Sequence, residues 1–402
     1  MSHSPAPIRI DLGRRYDADS LAAELIAQGP VAAVEINDAV VYAITHYPKL
    51  RAVLEAPQVW RRGAAHWRDL QTGRIPASHP LVQLIGPVES MLTSNGDDHA
   101  RQRRVLQKAF TPRRIAALRP TIVDIVEAHL DEMAKAPGRI DLKQALAWPV
   151  PIQVVAALLG IPRADWPALQ TITQGIFAGD PSVMEEAGAF MQRLLAEKKD
   201  APAGQDLTTD IAHAQAGGVL SDTEAVFNLM LMVIAGFETT AGTVTNAVEL
   251  LLEHPDQLAL LTSGQVDWRN AVRTVMWHRP AVSLLPALYP RQDTAIGGTT
   301  VPEGAFVLLA YGAANRHGAR THSPRVDVVS PPASHLGFGH GIHRCLGAAL
   351  GELELEVMLS RLFQRFPDLE FDPAQTDVQP ALSLMMGHPE QLLVRWKASA
   401  EA

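Results

Sequence analysis

Cysteine is almost missing from this chain: Cys345 is the only one in 402 residues. An internal disulfide is therefore excluded, as is a zinc site built from several thiolates. Positive charge is also in short supply. Lys+Arg number 35 against 43 Asp+Glu, a net charge of −8, and no basic tail concentrates the cations. A nucleic-acid binder needs such a concentrated basic face. The stretch Met1–Asp19 is polar and lacks the apolar segment of a signal peptide. The longest strongly apolar run, around Leu229–Phe237, falls short of the ~20 residues that span a bilayer. No Gly/Ser tract, charge block or repeat interrupts the chain, so residues 1–402 are expected to form one domain. The expectation is a soluble, cytoplasmic protein with neither a membrane nor a nucleic acid as partner.

What is present is mostly helical periodicity. With 47% hydrophobic residues the chain can bury a large core. Pro120–Met133 places Ile122, Ile125, Val126, His129, Leu130 and Met133 at three- and four-residue steps. Similar stretches cover Ser20–Gln28, His99–Phe110, Leu142–Leu159, Ala164–Ile176, Val183–Lys198 and Ala348–Phe366. The longest helix is predicted over Ser221–His254, opened by a capping box of Ser221 and Glu224. Strands are predicted in two places. Val31–Ile44 is β-branched and broken by Asn37-Asp38, which suggests a hairpin, and Ala281–Leu309 holds short apolar runs between glycines. Tyr311–His335 has little periodicity and is expected to be irregular. The fold class is mainly α with a small β region.

The chemistry concentrates in Gly337-Phe338-Gly339-His340-Gly341-Ile342-His343-Arg344-Cys345-Leu346-Gly347. Three alternating glycines imply tight turns or a close approach of the backbone. A helix begins just after the cysteine, and a thiolate near its positive end is stabilised by free N–H groups. Three plainer accounts compete. Cys345 could be a small buried hydrophobe. His340, His343 and Cys345 could bind zinc, but a fourth ligand is missing and the glycines go unexplained. The glycines could form a nucleotide loop, but no strand–GxGxxG–helix frame surrounds them.

Phe338–Gly347 matches Phe-Gly-x-Gly-x-His-x-Cys-x-Gly at every fixed position, and in this the chain resembles the cytochromes P-450. The likeness extends over nearly the whole sequence and is strongest to soluble bacterial members. It implies their fold, a triangular helical body with a small β region, and one heme b (iron protoporphyrin IX) ligated by Cys345, with Phe338, Gly339 and Gly347 around it. Midway along the longest helix, Ala235-Gly236-Phe237-Glu238-Thr239-Thr240 resembles the family's distal acid–alcohol pair. There Ala235 and Gly236 let the helix pass close over the heme and widen locally, Thr239 hydrogen-bonds dioxygen, and Glu238 relays protons. His99 and Arg103, four apart on one helix face, and His343 resemble propionate ligands. Arg104, Lys108, Arg113, Arg114 and Arg344 match the surface that attracts an acidic ferredoxin, itself supplied by a ferredoxin reductase. Substrate contacts are implied for the Pro80–Asn95 region, Phe237, Ser283-Leu284 and Ser383–Met386.

The match has gaps. The family's Glu-x-x-Arg ion pair falls on Thr274 and Trp277, leaving Arg325 without its customary partners. A propionate arginine of the family falls on Leu288, with Arg279 and Arg291 as nearby substitutes, and Arg316-His317-Gly318 replaces Arg-Asp-Pro. These departures bear on heme retention rather than on the chemistry. The resemblance implies a monooxygenase that hydroxylates a small, largely apolar molecule in a biosynthetic pathway. Two alternatives are an oxidative coupling or cyclisation enzyme that inserts no oxygen, and a heme-binding sensor without turnover.

Overall fold

Asn37 and Asp38 both take left-handed backbone angles, φ 46° and 71°, and so close a two-residue hairpin turn between Val31–Ile36 and Ala39–Ile44. Such turns match the right-handed twist of the strands they join. This computed structural model describes residues 6–85, 88–177, 180, 182–318, 325–375 and 377–397. Two compact units divide the chain. One comprises Met1–Val88, Thr245–Cys345 and Thr376–Gln391; the other comprises Glu89–Val244, Leu346–Gln375 and Leu392–Ala402.

The hairpin belongs to the first unit and to a mixed sheet of six strands. Their order is Ile8–Ile10, Val31–Ile36, Ala39–Ile44, Val307–Leu309, Leu285–Pro290 and Trp60–Arg62. The register of Leu285–Pro290 slips between Leu285 and Leu288, where Ala287 turns to φ 70°. That is a bulge, a device that re-aims the side chains beside it. Aliphatic residues pack both faces: Val34, Ile36, Val41 and Leu308 on one, Ile44, Leu288, Val307 and Leu309 on the other. A short strand pair, Thr294–Ile296 with Thr299–Val301, turns on Gly297-Gly298. The expected irregular stretch after Tyr311 instead starts as a helix, Tyr311–Gly318. Its Gly-Ala-Ala-Asn sequence has no apolar stripe, so only tertiary contacts announce it.

The second unit is helical, with a small antiparallel sheet of Glu370–Phe371, Leu393–Arg395 and Arg139–Asp141. Two predicted helices change bounds. Pro112–Ala134 starts well before Pro120, because Thr111 accepts from the Arg114 N–H and Pro112 fits the first helical turn. Leu142–Leu159 breaks into a π-helical turn, Lys143–Ala147, and a helix, Pro149–Leu158. Pro149 and Pro151 have no N–H to continue one helix through the junction.

The longest helix, Asp222–Glu253, is 32 residues. By length and composition alone, with a window of mean hydropathy 1.5, it would suffice to cross a membrane. More than half of that window, 56%, is buried inside the protein. Its start is fixed by the predicted capping box: the Ser221 N–H donates to Glu224 Oε2 at 2.9 Å, and the Glu224 N–H donates to Ser221 Oγ at 3.1 Å. Arg101 donates to both oxygens of Glu224, at 2.7 and 2.8 Å, and Gln102 donates to Oε1 at 3.1 Å. One step along, Asn228 donates to Gln102 at 2.7 Å and accepts from the Met91 N–H at 3.0 Å. This network fixes the rotation of the helix Gly96–Leu106, and with it the face that carries His99 and Arg103.

Glu224→Ala is therefore expected to destabilise the protein by about 2–3 kcal/mol, since it strips acceptors from one guanidinium, one amide and one backbone N–H at once. Urea unfolding followed by circular dichroism measures it. A change below about 0.5 kcal/mol, the scale of an ordinary surface pair, would show that the network does not tie the two helices.

Candidate active site

The cysteine loop lies in the first unit, and its backbone is held from both ends. The Cys345 N–H donates to the Phe338 carbonyl at 2.8 Å, and the Gly339 N–H to that of Leu336 at 2.8 Å. Gly339 and Gly341 take φ 67° and 72°, a region costly for other residues. A Cβ on Gly341 would run into the Leu54 carbonyl, and one on Gly337 would stand 2.7 Å from the Met276 carbonyl. The glycines are thus required by the loop's own packing. The Cys345 side chain is exposed, so the buried-hydrophobe account fails. His340 Nε2 donates to Glu55 Oε1 at 2.8 Å, and no metal-binding group of His, Cys, Asp and Glu occurs among the described residues. His343 is half-buried two residues before the thiol.

Neutral groups anchor the helix Trp268–His278 at Thr274 and Trp277, where the resemblance would place Glu-x-x-Arg. Thr274 Oγ1 donates within its helix to Asn270 and lies 3.3 Å from the Asp327 carbonyl. Trp277 is buried and packs edge-on to His278 at 4.8 Å. Asn315, fully buried, donates to the Met276 and Trp277 carbonyls at 3.3 and 3.2 Å and accepts from the Leu336 N–H at 2.9 Å. It joins the end of the helix Trp268–His278 directly to the start of the cysteine loop. Arg325 is exposed. Arg279 is committed elsewhere, to Glu249 at 3.0 Å and Glu253 at 2.8 Å, and Arg291 reaches the Gln58 carbonyl at 3.4 Å.

In the second unit His99 is 3% exposed and Arg103 half-buried, one helical turn apart. Ala235 is exposed and Gly236, Glu238 and Thr239 are half-buried, an opening in an otherwise apolar helix. Thr239 Oγ1 donates to the Ala235 carbonyl at 2.6 Å. Two expectations change here. The helix stays α-helical throughout, without the widened turn, and Gly236 is small because a Cβ there would meet Val155 Cγ2 at 2.7 Å. Phe237 is buried against Trp148, ring centroids 5.3 Å apart, and so belongs to the core rather than to a substrate surface. Arg114 is bound to Asp210 at 2.6 Å and to the Gly204 carbonyl, which removes it from the basic surface; Arg104, Lys108 and Arg113 stay exposed.

Two remote substrate candidates meet within the first unit: the Ser283 N–H donates to the Met385 carbonyl at 2.9 Å, and Val282 bridges to Met386. Leu84 and Leu92 are exposed, whereas Gly86 and Pro87 of the Pro80–Asn95 region lie outside the described residues. Asn315, Arg62, Tyr311 and His335 escaped the sequence reading. Only Asn315, next to the Arg316 motif, carried any signal.

A helix-rich fold with an exposed lone thiol on a glycine-lined loop defines a class of heme enzymes, and comparison with known proteins agrees. Residues 277–394 match the family model described as Cytochrome P450. Cytochrome P450 monooxygenase PikC of Streptomyces venezuelae is 33% identical, over 97% of this chain and 94% of its own. The 2-hydroxy-5-methyl-1-naphthoate 7-hydroxylase of Streptomyces carzinostaticus is 30% identical, over 98% and 99%. Among solved structures, CYP154C4 from Streptomyces sp. W2061 superposes with TM-score 0.89 at 31% identity, covering 98% of each chain. CxnD, a cytochrome P450 for C–S bond formation in chuangxinmycin biosynthesis, gives 0.85 at 28%, over 98% of each. The chain belongs to the cytochrome P450 family. It is a heme b monooxygenase that oxidises a small organic molecule with dioxygen and electrons from a redox partner, and the turnover-free sensor is set aside. The donor set fits a heme: one accessible thiol for the iron, with histidine and arginine side chains for carboxylates.

His335 makes this loop sensitive to acid. Its Nδ1 accepts from the Gly337 N–H at 3.2 Å, and burial, with Arg344 and Arg273 nearby, pushes its pKa down to about 4. Between pH 6.5 and 4 the unfolded chain binds this proton and the folded chain does not. Stability therefore falls as pH drops through that window, by on the order of 2 kcal/mol after discounting for partial exposure. Heme retention followed by Soret absorbance should decline over the same range. His335→Asn supplies a non-titrating acceptor at the same place and is expected to flatten the decline; His278, also near 4, keeps some of it. An unchanged profile in the Asn variant would remove His335 from the account.

Proposed function

We propose that Cys345 is the thiolate ligand of heme b, and that His99, Arg103 and His343 hold its propionates while Ala235, Gly236, Phe338, Gly339 and Gly347 shape its two sides. The exposed thiol on a loop held by its own backbone hydrogen bonds carries this proposal. Bound there, the heme supplies dioxygen activation, favoured by electron donation from a thiolate. Glu238 and Thr239 manage protons. The single proton of the Thr239 hydroxyl is given to the Ala235 carbonyl, so its oxygen offers lone pairs to the open side of the helix. Thr239 thus positions a proton by accepting it in a hydrogen bond, and Glu238, one residue back and half-buried, brings it from solvent.

The substrate is largely apolar, as Leu84, Leu92, Leu384 and Met385 suggest, and the reaction is hydroxylation within a biosynthetic pathway, as in the naphthoate 7-hydroxylase. The likeness to CxnD favours a second outcome, oxidative bond formation without oxygen insertion. Product mass separates the two: a gain of one oxygen against a loss of two hydrogens. The redox partner is an acidic ferredoxin, fed by a ferredoxin reductase and drawn to Arg104, Lys108 and Arg113 in one unit and Arg344 in the other. The location proposed is cytoplasmic, supported by a longest helix whose apolar window is 56% buried inside the protein.

The dithionite-reduced, carbon monoxide-treated protein is expected to show the red-shifted Soret band of thiolate-ligated heme, and Cys345→Ser to lose it with the helical spectrum unchanged. Thr239→Ala should cut product formation about tenfold or more while peroxide release rises. Product and peroxide levels equal to the parent's would overturn the role given to Thr239.

A further inference from the structure

The propionate arginine of the family is missing at Leu288, yet the sheet places another arginine directly across from it. Trp60–Arg62 runs antiparallel to Leu285–Pro290, with Arg62 opposite Leu288. Residues directly opposite in an antiparallel pair project from the same face, with Cβ atoms ~5 Å apart. A guanidinium at residue 62 can therefore serve the face that an arginine at residue 288 would have served. We infer that Arg62 is a heme-propionate ligand of this protein, its charge moved across one strand pair from Leu288.

Three observations within the first unit support the transfer. Arg62 is only 4% exposed, so its guanidinium is shielded from water on the face it shares with Leu288. The partners seen for it include two neutral ones, the Pro286 carbonyl at 3.3 Å and the Tyr311 hydroxyl. Tyr311 in turn touches the cysteine loop, since a Cβ on Gly339 would lie 3.3 Å from its hydroxyl oxygen. The guanidinium is thus one hydroxyl away from the loop that bears Cys345. Burial pulls the Arg62 pKa below its ordinary value, and the same burial strengthens any carboxylate contact it makes. Pro286 and Ala287 form the bulge beside Leu288, so Arg62 also has a plain structural use, bracing that bulge.

The inference rests on a heme seated against the cysteine loop, and transfer of heme to excess apomyoglobin tests it apart from the identity of the iron ligand. Arg62→Leu is expected to release heme about ten- to a hundredfold faster than the parent, the loss of one charge-assisted hydrogen bond. Arg62→Leu/Leu288→Arg should bring the rate back to within a few-fold. Reconstitution with heme dimethyl ester, whose propionates carry no charge, should erase the difference between parent and Arg62→Leu. A brace for the bulge would slow release of heme and ester alike, so equal acceleration with both, or none with heme, overturns the assignment. If Arg62→Leu takes up no heme, the double variant decides: recovery supports the swap, and failure to recover defeats it. Absence of the red-shifted carbon monoxide band in the parent would instead count against Cys345.

Discussion

A thiol that must stay exposed has to be carried by backbone, because side chains packed over it would bury it. The loop Gly337–Cys345 meets this constraint with three glycines, two of them in left-handed backbone, and takes its position from its neighbours. Leu54 and Met276 press on it through their carbonyls. Asn315 and His335 hold its entry through single hydrogen bonds. Each contact is short-range and directional, which fixes the loop only if the helices behind it are themselves fixed. Much of the first unit can be understood as the support for this one loop.

That support contains no Glu-x-x-Arg ion pair, since Thr274 and Trp277 stand where the resemblance would place it. Two buried charges must each recover several kcal/mol of desolvation from their mutual attraction, and a neutral network avoids that cost. Asn315 spans this gap with an amide: its two N–H donors satisfy two carbonyls at the C-terminal end of one helix, and its oxygen accepts from the Leu336 N–H at the start of the loop. Trp277 fills the volume. The charge that remains near the end of this helix, Arg279, is half-buried and pairs with Glu249 and Glu253. Burial holds Glu249 up to about 7 even with Arg279 beside it, so this pair is a poor source of stability near neutrality. The neutral bonds, not the ion pair, are what keep the loop in place.

How much of this the sequence discloses follows the distance over which each feature is encoded. The heme signature, the Asn37-Asp38 turn and the Ser221–Glu224 box are each complete within a dozen residues, and the turn and the box are found as expected. Ile8–Ile10 and Trp60–Arg62 are strands of three residues, too short to show a period of two. The helix Tyr311–Gly318 is only eight residues, too short for a clear repeat, and the early start at Pro112 is encoded by the Thr111 cap rather than by apolar periodicity. Gly236 shows a subtler failure. Its smallness was visible, but the neighbour that demands it, Val155, is eighty residues away in sequence. The Arg62–Leu288 register is farther still, and no local pattern in either strand announces it.

The two ends of the active site therefore tolerate change differently. On the thiol side the requirements are geometric: a donor atom, two left-handed backbones and no Cβ at three places, which leaves almost no freedom of sequence. On the propionate side the requirement is a positive charge at a point, and long flexible arginines on adjacent strands can reach the same point from different positions. A sheet offers such substitutes in pairs, since every residue has a cross-strand neighbour on its own face. This is why a chain can keep every fixed position of its cysteine loop while dispensing with Glu-x-x-Arg and with the arginine at 288. What is needed there is a positive charge within reach of a carboxylate, and more than one position can supply it.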